Sequence, residues 1–212
     1  MEKFKKILAR ILKILKWAFL ILVGAFIILV IIRIPHAVNQ QKTDEQIIKI
    51  HNTKLTLDDV MGENLPPPPG AEADTTVQGI DANNNGIRDD VELAIFKEYP
   101  NSAKTRAVLL QYALALQMEV VQPIINTSTD TEVMIELSKA DSCLANTLVP
   151  RESPESSRNS IDMKKIDDYI NFIESKQINT DERKKAEQDF YKNVRSYELQ
   201  SGCDIDLSTL PN

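Results

Sequence analysis

Sixteen consecutive residues without a charge, WAFLILVGAFIILVII from Trp17 to Ile32, constrain this chain more than any other feature. Ile11, Leu12, Ile14 and Leu15 extend the run toward the N-terminus, with Lys13, Lys16 and Arg33 at its edges. At about 1.5 Å rise per residue the uncharged stretch falls slightly short of a ~30 Å hydrocarbon core, and the long cationic side chains can snorkel to make up the difference. A single transmembrane helix is therefore expected. Lys3, Lys5, Lys6, Arg10, Lys13 and Lys16 precede the run and only Arg33 follows it closely. By the positive-inside rule the N-terminus is then cytoplasmic, and the rest of the chain lies outside, in the periplasm or beyond. A cleaved signal peptide is the rival reading, but it calls for a shorter apolar region and small residues in an A-x-A-like pattern, which Pro35-His36-Ala37 fits badly. A buried soluble helix is the third.

Charge divides in the same place. Residues 1–35 carry seven Lys or Arg and one acid, net +6, within a chain of −6, so the remainder carries −12. An acidic body repels phosphates, which argues against nucleic acid and favours cations. The expected organisation is a basic cytoplasmic tail (1–16), a transmembrane signal anchor (17–34), a stalk with short helices and a Pro-rich spacer (35–70), and an exported helical domain (71–212).

Pro35 is expected to end the membrane helix, because proline removes a backbone donor and crowds the preceding turn. Thr43 with Gln46 and Thr56 with Asp59 resemble helix starts. Pro66 to Pro69 is a run of four prolines that favours an extended, semi-rigid spacer. Beyond residue 86 apolar residues recur at three- and four-residue spacing. Leu109, Tyr112, Leu116 and Val120 form one stripe, and Val133, Leu137, Ala140, Leu144 and Leu148 a second. Ile166, Tyr169, Ile170 and Ile173 form a third, and Ala186, Phe190, Val194 and Tyr197 a fourth. Pro100-Asn101, a Thr129/Glu132 capping box, the RESPESSRNS loop at 151–160 and Asn179-Thr180-Asp181 separate them. The fold class that follows is all-α, a single transmembrane helix and then a soluble helical bundle.

Cys143 and Cys203 are the only cysteines. In an oxidising compartment they would pair and tie the C-terminal segment to the bundle. Two buried thiols or a metal pair are the alternatives, the latter weakened by the lack of a nearby His.

Residues 81–92, DANNNGIRDDVE, satisfy D-x-[DN]-x-[DN]-G-x₅-E throughout. Asp81, Asn83 and Asn85 occupy positions 1, 3 and 5, and Gly86 permits the sharp turn at position 6. The carbonyl of Ile87 serves position 7, Asp89 position 9, and Glu92 can close the site bidentately from the following helix. Only hard oxygen ligands are offered, which favours Ca²⁺. The preceding segment is a poor helix and position 8 holds Arg88, so a half-EF-hand-type loop with an exit helix is expected, of weak affinity. A simple Asn/Gly turn followed by an acidic helix start explains part of the pattern, but not why Asp81, Asn83, Asn85 and Glu92 all fall at ligand spacing.

The stretch LPPPPG…TTVQGIDANNNGIRDDVELAIFKEYP, residues 65–100, resembles uncharacterised bacterial envelope proteins with a Pro-rich lead and a G-x-D-x-N-x-N-G-x-R-D-D-V motif before a helical region. The resemblance implies a bacterial exported or membrane-bound protein with a calcium-type loop, and brings no activity with it.

His36 and His51 are read as solvated bystanders, and the pairs Asp89-Asp90 and Asp167-Asp168 as solvated surface. No phosphate loop, nucleophile elbow or zinc signature is present. The expected function is a non-enzymatic calcium-binding module, single-pass in the inner membrane, that contacts a protein partner in the envelope. A cell-envelope hydrolase using carboxylates that the sequence does not single out is the alternative.

Overall fold

The computed structural model describes residues 1–123, 125–153 and 155–211, among which there are seven α-helices and no strand. It divides into two compact units, Met1–Glu45 and Gln46–Asn212.

The first unit consists of helix. α1 (Glu2–Asn52) starts there and is the one helix among the described residues long and apolar enough to cross a membrane. Its large side chains from Phe4 to Val38 are exposed, an apolar surface that calls for lipid or another non-aqueous neighbour. Pro35 lies inside α1 and does not end it. One proline deletes a single backbone hydrogen bond, whereas breaking the helix at that point would open several polar groups at once.

The second unit is a bundle built around α4 (Ala103–Val121), buried on nearly every face, as expected of a helix that is apolar all round. The predicted stripe of Leu109, Tyr112, Leu116 and Val120 is thus one side of a helix whose other sides also pack. Ser102 caps α4, accepting from the Thr105 N–H at 3.1 Å. Against it lie α2 (Leu57–Met61), α3 (Asp89–Glu98), α5 (Thr127–Leu148), α6 (Ser160–Gln177) and α7 (Asp181–Tyr191). Core residues come from each: Val60, Val91 and Ile95, Leu144, Ile173 and Phe190.

Caps fix the helix starts. Thr56 and Asp59 form the expected capping box of α2, but Thr43 starts nothing, since its hydroxyl donates to the Asn39 carbonyl one turn back within α1. At α5 the box is made by Asn126 and Thr129, three residues before the predicted pair. Asn126 reaches two amides with one side-chain oxygen, at 2.9 and 3.3 Å, and asparagine caps at least as well as threonine. The 151–160 loop is irregular where described; Pro154 lies outside the described residues. α7 ends at Tyr191, so Val194 and Tyr197 pack from an irregular segment instead of from a fourth helical stripe.

Ile50, Leu55 and Val60 are core residues, so chain expected as a stalk contributes to the bundle. Pro66 is buried while Pro67 and Pro68 are exposed.

Cys143 on α5 and Cys203 in the C-terminal segment are joined as a disulfide, their Cα atoms 5.1 Å apart. Around it the segment is stitched down: Gln111 donates to the Gly202 carbonyl at 3.3 Å and accepts from the Asp204 N–H at 3.0 Å. Asp204 in turn accepts from the Leu55 N–H at 3.1 Å.

Candidate functional site

The 81–92 loop runs from a 3₁₀ turn, Gly70–Asp74, and an irregular stretch into α3. Its side chains fold inward on their own backbone. Asp81 Oδ1 accepts from the Asn85 N–H at 3.1 Å and its Oδ2 from the Gly86 N–H at 3.0 Å. Asn85 Oδ1 accepts from the Ile87 N–H at 2.9 Å. Two left-handed residues make the bend, Asn84 at φ +58° and Gly86 at φ +86°. The positive φ favours glycine at position 86, and a Cβ there would also lie 2.8 Å from Leu114 Cδ1 and displace that side-chain end. Ile87 anchors the loop in the core, fully buried beside Val91 and Ile95.

Position 12 is held from the helix. Glu92, in the first turn of α3 and 1 % exposed, accepts from Asn83 Nδ2 at 3.1 Å through Oε2. Its other oxygen, Oε1, is buried with no partner. Asp89 is buried too, with Oδ1 accepting from the Ala82 N–H at 3.0 Å and Oδ2 unpartnered. Asn85 Nδ2 makes no hydrogen bond of full geometry, although it faces Glu92 closely enough to act on that carboxyl. Orphaned buried polar atoms are uncommon in folded proteins, and three fall within one twelve-residue loop.

The electrostatics follow from burial. Desolvation pushes the Glu92 carboxyl up to about 7. The Asn83 and Asn85 amides oppose this, and the carboxylates of Asp59 and Asp89 reinforce it. Asp89 is raised as well, by burial first and then by Asp81 and Asp90, against the Ala82 N–H.

The loop therefore brings Asn83 to Glu92 and Asp81 to the Asn85–Gly86 backbone, while Asp89 turns toward Ala82. Among the described residues no three His, Cys, Asp or Glu side chains gather closely enough to hold a metal by themselves. A cation here would have to draw on the Asn amide oxygens and the Ile87 carbonyl as well as the acids. The donor set is all oxygen, and two carboxylate oxygens are uncommitted, which is chemistry that fits a hard divalent ion.

Several residues around the loop were not legible as functional. Arg88, at position 8, is fully buried. Its Nε and Nη2 donate to the two oxygens of Asp90 at 3.0 and 2.5 Å, and Nη1 donates to the Gln177 carbonyl at 3.0 Å. Arg183 on α7, also fully buried, donates to the carbonyls of Ala73, Val77 and Thr76 at 2.6, 3.0 and 3.0 Å, and to Asp74 at 2.5 Å. Two guanidinium groups thus fasten the loop, through Arg88, and the 73–77 segment that precedes it, through Arg183, to the α6–α7 corner. An arginine where an apolar residue is usual was the only visible hint. Asp89 and Asp90, expected as solvated surface, are respectively buried and ion-paired. His51 is exposed, and its Nε2 lies 2.8 Å from Glu132 Oε2.

No protein-family model matches the chain, and neither the curated proteins nor the solved structures contain a match to it.

Proposed function

We propose that the chain is a membrane-anchored calcium-binding module without catalytic activity. The apolar part of α1 is retained as a single span of the inner membrane with the N-terminus in the cytoplasm. The acidic bundle then stands outside the cytoplasm, where it engages a protein partner of the envelope and no nucleic acid.

The observation that supports it most is Glu92. A carboxylate 1 % exposed, with one oxygen making no hydrogen bond of full geometry, is costly to bury, and that cost falls when a cation faces it. Asp81, Asn83, Asn85, the Ile87 carbonyl, Asp89 and Glu92 are the six groups that would hold the ion. Ca²⁺ accepts six to eight oxygens in flexible geometry, whereas Mg²⁺ demands a near-ideal octahedron that this mixed set matches less well. The bound ion would supply charge neutralisation and rigidity to the loop. Arg88 would pass that rigidity to the α6–α7 corner through the Gln177 carbonyl.

Equilibrium dialysis of the full chain in lipid nanodiscs tests the reading. One calcium per chain is expected, with Kd in the range of roughly 10⁻⁴–10⁻³ M, and none for the double variant Asp81→Ala, Glu92→Ala. Absence of bound calcium in the wild-type chain at about 5 mM would refute it.

A further inference from the structure

Ahead of the uncharged run, residues 2–16 form the first turns of α1. At about 3.6 residues per turn their chemistry separates onto two sides of the helix. Lys3, Lys5, Lys6, Arg10, Lys13 and Lys16 fall within one arc of about 160°, which they share with Ala9 and the single acid, Glu2. Phe4, Ile7, Leu8, Ile11, Ile14 and Leu15 fall within the opposite arc of about 120°, with Leu12 at its edge. All of these side chains are exposed, and none of the six cations is ion-paired among the described residues.

The two sides ask for different neighbours at once. A soluble polyanion would meet the cations and leave the apolar arc in water. A second copy packed on the apolar arc would bring two sets of six cations together, with one acid per chain to offset them. A bilayer surface offers both partners in parallel layers, acyl chains beneath the helix and headgroup charge beside it. Position argues for the same neighbour. Lys16 directly precedes Trp17, and tryptophan favours the headgroup level, so the segment is tethered where an anionic leaflet is within reach. We propose that residues 2–16 recognise anionic phospholipid on the cytoplasmic leaflet, the apolar arc bedded at the acyl boundary and the cations on the headgroups. This deepens the anchor reading above and rests on it. α1 is unbroken here, and a straight continuation out of the membrane would carry Phe4 about 17 Å past Leu15 and keep the apolar arc in water. A bend beside Trp17, where headgroup water can satisfy the freed carbonyls, removes that exposure.

Spin labelling of the full chain tests this, since the native cysteines are joined and leave no free thiol. Ile11→Cys on the apolar arc, Ala9→Cys on the cationic arc and Leu22→Cys within the span each carry a nitroxide, with one chain per nanodisc. In discs containing phosphatidylglycerol, the label at position 11 should collide with dissolved oxygen and the label at 9 with a water-soluble nickel chelate. Each cation near an anionic surface shifts the balance toward the bedded state about fivefold. Discs of phosphatidylcholine alone, or Lys5→Gln, Lys6→Gln and Arg10→Gln together, should therefore raise nickel access at position 11 by at least about threefold. Three results would overturn the proposal: equal nickel access at positions 9 and 11, access at 11 unchanged between the two lipid compositions, or a label at 11 shielded only when two chains share a disc, which would assign the apolar arc to a second copy. A label at position 22 open to nickel would overturn the anchor reading and this inference with it. A shielded label at 22 beside an open one at 11 confines the failure to the tail.

Discussion

Asn83 Nδ2 donates to Glu92 Oε2 at 3.1 Å, so the third and twelfth residues of the loop meet across its interior. The same Nδ2 donates to the Asn64 carbonyl at 3.0 Å. One amide therefore ties the loop both to the first turn of α3 and to the chain that follows α2. Glu92 is held in place by this contact, but only through one of its two oxygens.

Buried carboxylates make the calcium-free chain lose stability as pH rises. Glu92 is pushed to about 7 and Glu119 to about 8, each chiefly by burial, from an ordinary 4.5. Glu119 lies on α4 and receives the Tyr191 hydroxyl at 3.0 Å, with the carboxylates of Glu187 on α7 and Glu174 on α6 nearby. Both acids bind their proton more tightly when folded, so their contribution is complete below pH 4.5 and fades through pH 7 and 8. Chemical denaturation without calcium should show stability falling from pH 4.5 to 8.5. Glu119→Gln, which keeps an acceptor for Tyr191, should flatten the upper part and stabilise the chain at pH 8.5 by more than about 1 kcal/mol.

Arg183 should be among the most sensitive positions in the bundle. Its five hydrogen bonds bring three carbonyls of residues 73–77 and the side chains of Asp74 and Asn179 to one buried guanidinium. Arg183→Met leaves those acceptors unpaired and should cost about 3 kcal/mol or more, lowering the melting temperature by roughly 6 °C or more. Lys184→Met, on the exposed side of the same helix, should change it by less than about 2 °C.

The Cys143–Cys203 bond closes a separation of 60 residues. Replacing both cysteines with Ala should cost about 4 kcal/mol in the loop-entropy account, and release the stitched segment around Gln200–Asp204 to hydrogen exchange. Non-reducing electrophoresis with alkylation should find no free thiol in the native chain.

Orientation is open to direct measurement. A phosphatase that needs disulfides and is fused after residue 212 should be active, and the same fusion after residue 16 inactive. The reverse pattern would put the bundle in a reducing compartment, where neither the disulfide nor a weak calcium loop would persist.

Much of the helical layout could be read from spacing alone, because amphipathic periodicity and caps are local. The Thr56/Asp59 box and the stripe from Ile166 to Ile173 are examples. Pro35 was misleading, since its effect on a helix depends on what surrounds the freed carbonyl. Residues 46–62 were equally opaque: nothing near Ile50 or Leu55 marks them as core, because what buries them lies far away in sequence. At the loop, the D-x-N-x-N-G spacing from Asp81 to Gly86 is a property of the sequence itself. The pairing of Asn83 with Glu92, the buried Arg88 and the distant Arg183 depend on packing, and a one-dimensional pattern carries no record of it.

The most direct test of a calcium-held loop is the melting temperature of the full chain in nanodiscs with chelator and with about 10 mM calcium. For Kd of roughly 10⁻⁴–10⁻³ M, mass action predicts about 1.4–2.7 kcal/mol of stabilisation, a rise of roughly 3–10 °C. The rise should vanish in Glu92→Gln and be smaller with magnesium. An identical melting temperature with and without calcium in the wild-type chain would contradict the account.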